Sequence, residues 1–89
     1  MARKDVWQLL RALRRGANNL ESRDIERLAE KAGFIYHHTG KGHVIYIKEG
    51  FPPNLSIPQG RLKGKTALRL LSLIESSLYT EKEESSDDD

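Results

Sequence analysis

The sequence predicts a small α+β sandwich in the order helix, helix, three antiparallel strands, helix, with the helices on one face of the sheet. Three observations carry that expectation. Apolar residues recur at helical spacing in three separate segments. Between the second and third of these, two runs rich in β-branched and aromatic residues flank a short glycine-rich link. The length, 89 residues, leaves room for one modest core once the charged C-terminal end is set aside. The expected organisation is a helical extension over residues 1–19, a folded domain over residues 20–80 and a disordered acidic tail over residues 81–89.

Val6, Leu9, Leu10 and Leu13 stand at i, i+3, i+4 and i+7, so a first helix is predicted over residues 4–15, docked on the domain by that stripe. Arg3, Lys4, Arg11, Arg14 and Arg15 take its other side. Gly16-Ala17-Asn18-Asn19 breaks it, and Ser22 reads as the N-cap of a second helix with Ile25, Leu28, Ala29 and Ala32 inward. Gly33 suits a left-handed C-terminal cap, which ends that helix at Lys31 or Ala32. Strands are expected over residues 34–38 and 43–47, joined by a hairpin loop of Thr39-Gly40-Lys41-Gly42. Gly50-Phe51-Pro52-Pro53 reads as a connector, and a third strand over residues 54–57 stops at Pro58. A basic loop over residues 59–65 then leads into a last helix over residues 66–78, with Ala67, Leu70, Leu71, Ile74 and Leu78 inward.

The net charge of +2 hides an asymmetry. Residues 1–80 carry 14 Lys/Arg against 7 Asp/Glu, a balance of +7, while residues 81–89 carry one lysine against six acids, a balance of −5. A basic body suits a polyanion, and an acidic appendage either competes for that surface or aids solubility. The absence of cysteine removes disulfides, thiolate zinc sites and thiol catalysis, and makes the cytoplasm the expected address. No apolar run approaches the ~18 residues of a membrane span, so no membrane partner is expected.

Gly60-Arg61-Leu62-Lys63-Gly64-Lys65-Thr66 looks like a phosphate-binding loop, but it has three residues between its glycines where a Walker motif needs four. What survives is a cluster of Arg61, Lys63, Lys65 and Arg69 beside a helix N-terminus, suited to phosphate. The histidines are His37, His38 and His43. His37 and His38 are neighbours in a strand and are expected on opposite faces, with no carboxylate or thiol near to complete a metal shell. Neither a metal nor a small-molecule cofactor is expected. His43 follows Gly40-Lys41-Gly42 at the start of a strand, where an imidazole can take and give a proton near neutrality. Gly40 and Gly42 would let a substrate backbone come close.

Residues 22–74 resemble the HicA (YcfA-like) toxins of bacterial HicAB toxin–antitoxin systems. The likeness rests on pieces in order: Ser22-Arg23-Asp24 opening a helix closed by Ala32-Gly33-Phe34, a turn ending in His43, then Val44-Ile45-Tyr46, Ser56-Ile57-Pro58 and Leu62-Lys63-Gly64-Lys65-Thr66. The resemblance implies a fold like the double-stranded RNA-binding domain, helix–three strands–helix, to which the first helix over residues 4–15 is an addition outside the family pattern. It also implies cleavage of single-stranded messenger RNA by a histidine, without metal, under the control of a HicB-type antitoxin. The family turn reads Gly-Ser-His; here Lys41-Gly42-His43 keeps the histidine and has Gly42 for the serine. His43 is then the catalytic residue, His37 and His38 matter much less, and Lys41, Arg61, Lys63, Lys65 and Arg69 bind RNA. The alternative is a non-catalytic RNA-binding module on the same fold, since the basic start of the last helix also resembles the phosphate-gripping helix of double-stranded RNA-binding domains.

Overall fold

The computed structural model describes the backbone over residues 2–87 and the side chains over residues 4–80. Its elements are α1 (Ala2–Arg15), a 3-10 turn (Ala17–Asn19), α2 (Ser22–Lys31), β1 (Ile35–Gly40), β2 (His43–Lys48), β3 (Phe51–Pro58) and α3 (Gly64–Asp87). The three strands form one antiparallel sheet in the order β1-β2-β3. The chain is thus α+β, with three helices and a three-stranded sheet, as its periodicity predicts.

The inward face of α2 is the one its spacing predicts: Ile25, Leu28, Ala29 and Ala32 are all buried. So are Ala67, Leu70, Leu71, Ile74 and Leu78 on α3. The sheet answers with Val44 and Tyr46 of β2 beside their partners Ile57 and Leu55 of β3, all buried on one face. On α1, Val6 and Leu10 are buried and Leu9 and Leu13 pack partly buried against the same core. α1 rests against both α2 and α3. Tyr46 donates its phenol to Glu30 at 2.8 Å and to Glu26 at 3.2 Å, pinning α2 to the central strand. Burial, and then those two carboxylates, push its phenol well above the ordinary tyrosine value.

Several boundaries differ from the sequence reading. The cap of α2 is Glu21, not Ser22. Asp24 Oδ2 reaches back to the Glu21 N–H at 2.9 Å, which frees the buried Ser22 hydroxyl to accept from the Gly60 N–H at 3.2 Å. Gly33 does end α2, at φ +100°, with Phe34 N–H on Ala29 C=O and Gly33 N–H on Glu30 C=O. Phe51, Pro52 and Pro53 belong to β3 instead of a connector. They fit there because β3 is an edge strand and a proline can turn its missing N–H outward. α3 starts two residues earlier than expected and runs past Leu78 to Asp87. The reading of residues 81–89 as a disordered tail falls on side chains that lie outside the described residues. Among the described residues, no helix is long and apolar enough to cross a membrane.

Candidate active site: a groove on the open sheet face

The face of the sheet away from the buried Val44, Tyr46, Leu55 and Ile57 carries a shallow groove of about 480 Å³. His38, Gly40, Lys41, His43, Ile45 and Ser56 line it. Strand register explains the grouping. His43 lies opposite Gly40, and Ile45 lies opposite both His38 and Ser56, so all of these point off one face. The site is therefore built by hairpin pairing, with no contribution from the helices.

The β1–β2 turn is tighter than the four-residue loop expected. Gly40 pairs with His43, which leaves Lys41 and Gly42 as a two-residue turn with φ +53° and +79°. Positive φ at both positions is the type I′ pattern, whose twist matches the flanking strands. Gly42 adopts it freely, whereas Lys41 is a side-chain-bearing residue held in the left-handed region. The Lys41 carbonyl consequently faces the ring of its neighbour across the turn, with His43 Nδ1 at 3.2 Å from Lys41 O. A carbonyl only accepts, so Nδ1 is the donor in this contact, and Nε2 on the far edge of the ring is left facing the groove. His43 is half-buried, while Lys41 is exposed at the rim.

His37 and His38 do not take opposite faces. The pairing slips between Tyr36 and His38, so His37 is the extra residue of a β-bulge. A regular pleat would have separated the two rings; the bulge sets them side by side, centroids 4.8 Å apart and Nδ1 to Nδ1 at 2.6 Å. His38, set opposite Ile45 by the register of the turn, lines the groove with His43, and the bulge brings His37 beside it. Sequence reasoning missed both His38 and Ser56 as groove residues. The available signal was the turn: once Lys41-Gly42 is taken as a two-residue loop, His38 falls opposite Ile45 and beside Gly40.

The basic residues divide differently. The β1–β2 turn meets the loop that follows β3 through Gln59 N–H, which donates to Gly42 C=O at 2.9 Å. Arg61 is engaged by Asn19 Oδ1 at 3.1 Å and pairs its backbone with Glu21. Lys63, Lys65 and Arg69 are exposed at the start of α3, and none of them lines the groove. The first residue of α3, Gly64, sits against the Asn18 side chain, which a Cβ there would strike. Among the described residues no group of three or more His, Cys, Asp or Glu side chains converges as metal ligands would.

Compared with family models, curated proteins and solved structures, the chain matches none.

Proposed function

We propose that this chain is a metal-independent endoribonuclease of the HicA kind, with a fold like the double-stranded RNA-binding domain and His43 as the group that moves protons. The observation that carries the proposal is His43 itself: Nδ1 tied to Lys41 O, Nε2 bare, on an open groove flanked by a glycine and a lysine. The order α2-β1-β2-β3-α3 supports the fold comparison, with α1 as the added helix.

The chemistry asks little of the protein because RNA supplies its own nucleophile. His43 Nε2 removes the proton of a 2′-hydroxyl, the 2′-oxygen attacks the adjacent phosphorus, and the P–O5′ bond breaks. Lys41, at the rim, offsets charge gathering on the phosphate. Gly40 and Gly42 leave the strand end without side chains that would hold a sugar–phosphate backbone away. Arg61, Lys63, Lys65 and Arg69, together with the +7 balance of residues 1–80, supply the wider attraction for single-stranded messenger RNA in the cytoplasm. A HicB-type antitoxin that covers the groove would silence the enzyme.

The test is cleavage of end-labelled single-stranded RNA by the pure protein. His43→Ala should lose ~10²–10⁴-fold in rate while keeping its fold and most of its RNA affinity. EDTA should leave the wild type active, and DNA of the same sequence should stay intact because it lacks the 2′-hydroxyl. Equal cleavage by His43→Ala, or activity only with added metal, refutes the mechanism. A second reading, a non-catalytic RNA-binding module, draws on Lys63, Lys65 and Arg69 standing exposed outside the groove. RNA binding lost on neutralising those three, with no cleavage by the wild type, would establish it instead.

A further inference from the structure

Cleavage of the kind just proposed has two proton steps, and His43 accounts for one of them. The leaving 5′-oxygen needs a proton, and the groove holds a second imidazole. We infer that His38 is the general acid that protonates the 5′-oxygen, in a two-histidine site set by the β1–β2 register and held in place by His37, which the β1 bulge brings beside it. This inference rests on the ribonuclease reading of the groove.

Placement comes first. His38 and Gly40 are alternate residues of β1, and Gly40 lies opposite His43, so the two histidines are diagonal neighbours on one sheet face. Diagonal pairs across antiparallel strands stand ~7–8 Å apart at the backbone and converge or separate with the side chains. A phosphodiester with attacking and leaving oxygens on opposite sides of phosphorus fits between two rings so spaced, each within ~2.6–3.2 Å of its own oxygen. The residue between them is Gly40, which leaves the floor of that space free of side chain.

Ring orientation comes second. His38 Nδ1 faces His37 Nδ1 at 2.6 Å, so one proton is held between the two nitrogens. The other edge of the His38 ring is turned inward: a Cβ built on Gly40 would stand 3.8 Å from His38 Cδ2, the carbon bonded to Nε2. Each groove histidine thus has Nδ1 engaged locally, by a backbone carbonyl in one case and a neighbouring imidazole in the other, and Nε2 left for substrate. The titratable groups sharing this face are His37, His38, Lys41 and His43, while Ile45 and Ser56 opposite carry no charge.

The step balances. His38 begins as imidazolium, donating Nδ1–H to the His37 Nδ1 lone pair and presenting Nε2–H to the 5′-oxygen. As His43 Nε2 takes the 2′-proton, the P–O2′ bond forms, the P–O5′ bond breaks and the Nε2 proton of His38 passes to the departing oxygen. The products are a 2′,3′-cyclic phosphate and a free 5′-hydroxyl. His43 ends protonated and His38 neutral, and exchange with water resets both. His37 is a positioning residue here, acting through His38 alone.

The experiment maps a wild-type cut site on RNA, then compares that substrate with one whose bridging 5′-oxygen at the junction is replaced by sulfur. A thiolate leaves without being protonated, so the sulfur substrate removes the need for an acid and for nothing else. Expected are a ~10²–10⁴-fold loss for His38→Ala on ordinary RNA and recovery to near the wild-type rate on the sulfur substrate. His37→Phe should show a smaller loss with the same recovery, which a folding defect would not give. His43→Ala should stay slow on both. If His38→Ala cuts ordinary RNA at the wild-type rate, or stays slow on the sulfur substrate, the assignment of His38 is overturned while His43 dependence leaves the ribonuclease reading standing. A wild type that cuts neither substrate overturns both.

Discussion

Replacing Tyr46 by phenylalanine isolates one polar contact in an apolar interface. The ring stays, so packing against Leu55 and the core is kept; only the hydroxyl that donates to Glu30 at 2.8 Å and Glu26 at 3.2 Å is removed. One phenol proton serves one acceptor at a time, and neither glutamate is fully buried, so water takes its place at the carboxylates. A hydrogen bond to a charged acceptor is worth ~1.5–3 kcal/mol, and that replacement argues for the low end, about 1.5 kcal/mol. With a urea slope of ~1 kcal/mol/M for a domain of this size, the unfolding midpoint should fall by ~1.5 M at pH 7. The pH dependence is the sharper readout. The phenol's pKa is raised in the folded protein, so the native state holds its proton where the unfolded chain, near 10, releases it. Its contribution is fully present below pH ~10 and lost as pH rises above that value. Ionisation of the unfolded tyrosine alone costs the wild type ~1.4 kcal/mol between pH 9 and pH 11, and that component should vanish in Tyr46→Phe. Urea titrations of both proteins at pH 7, 9, 10 and 11, followed by far-ultraviolet circular dichroism, measure it. Parallel pH curves for the two proteins would refute the account.

Leu71→Ala, at a fully buried position of α3, should cost ~2–5 kcal/mol. That is a large part of the ~5–15 kcal/mol holding a small domain together, so a thermal melt should show partial unfolding near 37 °C. Gly42→Ala meets no atom within 4 Å, so its cost is the φ of +79° alone, ~1–2 kcal/mol in a urea titration. Because that turn also carries the carbonyl behind His43, RNA cleavage should fall in the same variant. Truncation after Thr80 removes a −5 balance from a +7 body, so fluorescence anisotropy should show tighter RNA binding at low salt. The gain should fade as screening shortens to ~8 Å at physiological ionic strength.

The helices were legible because their information is local. Nine inward positions on α2 and α3 follow from spacing within each segment, and all nine are buried. The cap at Gly33 was legible for the same reason. Ser22 was not, because its hydroxyl is used by Gly60, a residue 38 positions away. The strands were placed but mis-bounded. Lys41-Gly42 lacks the Asn or Asp that advertises a two-residue turn, so β1 seemed to stop at His38 when it runs to Gly40. His43 and Lys41 were found by reading the turn, and they do share the groove. His37 and His38 were separated on the alternation of a regular strand, and the bulge at His37 breaks that alternation. Nothing in the local sequence specifies a bulge, which is fixed by how two strands accommodate each other.

Fold and candidate site are one construction at the β1–β2 turn. The left-handed pair Lys41-Gly42 closes the hairpin, and the register it sets puts His38, Gly40, His43 and Ile45 on a single face. The same two residues then spend their carbonyls on the surroundings. Lys41 C=O accepts a hydrogen bond from His43 Nδ1, and Gly42 C=O accepts one from the Gln59 N–H, which anchors the exit of β3. A side chain is presented most sharply where little must be rearranged when a ligand arrives. Here the ring is held by backbone, the backbone by a turn, and the turn by both neighbouring strands. A side chain at the ring's Nδ1 would have added rotamers of its own, whereas a carbonyl in a two-residue turn has almost none to lose. That rigidity explains how an open, shallow groove can still present a defined Nε2 without any side chain from the helices lining it.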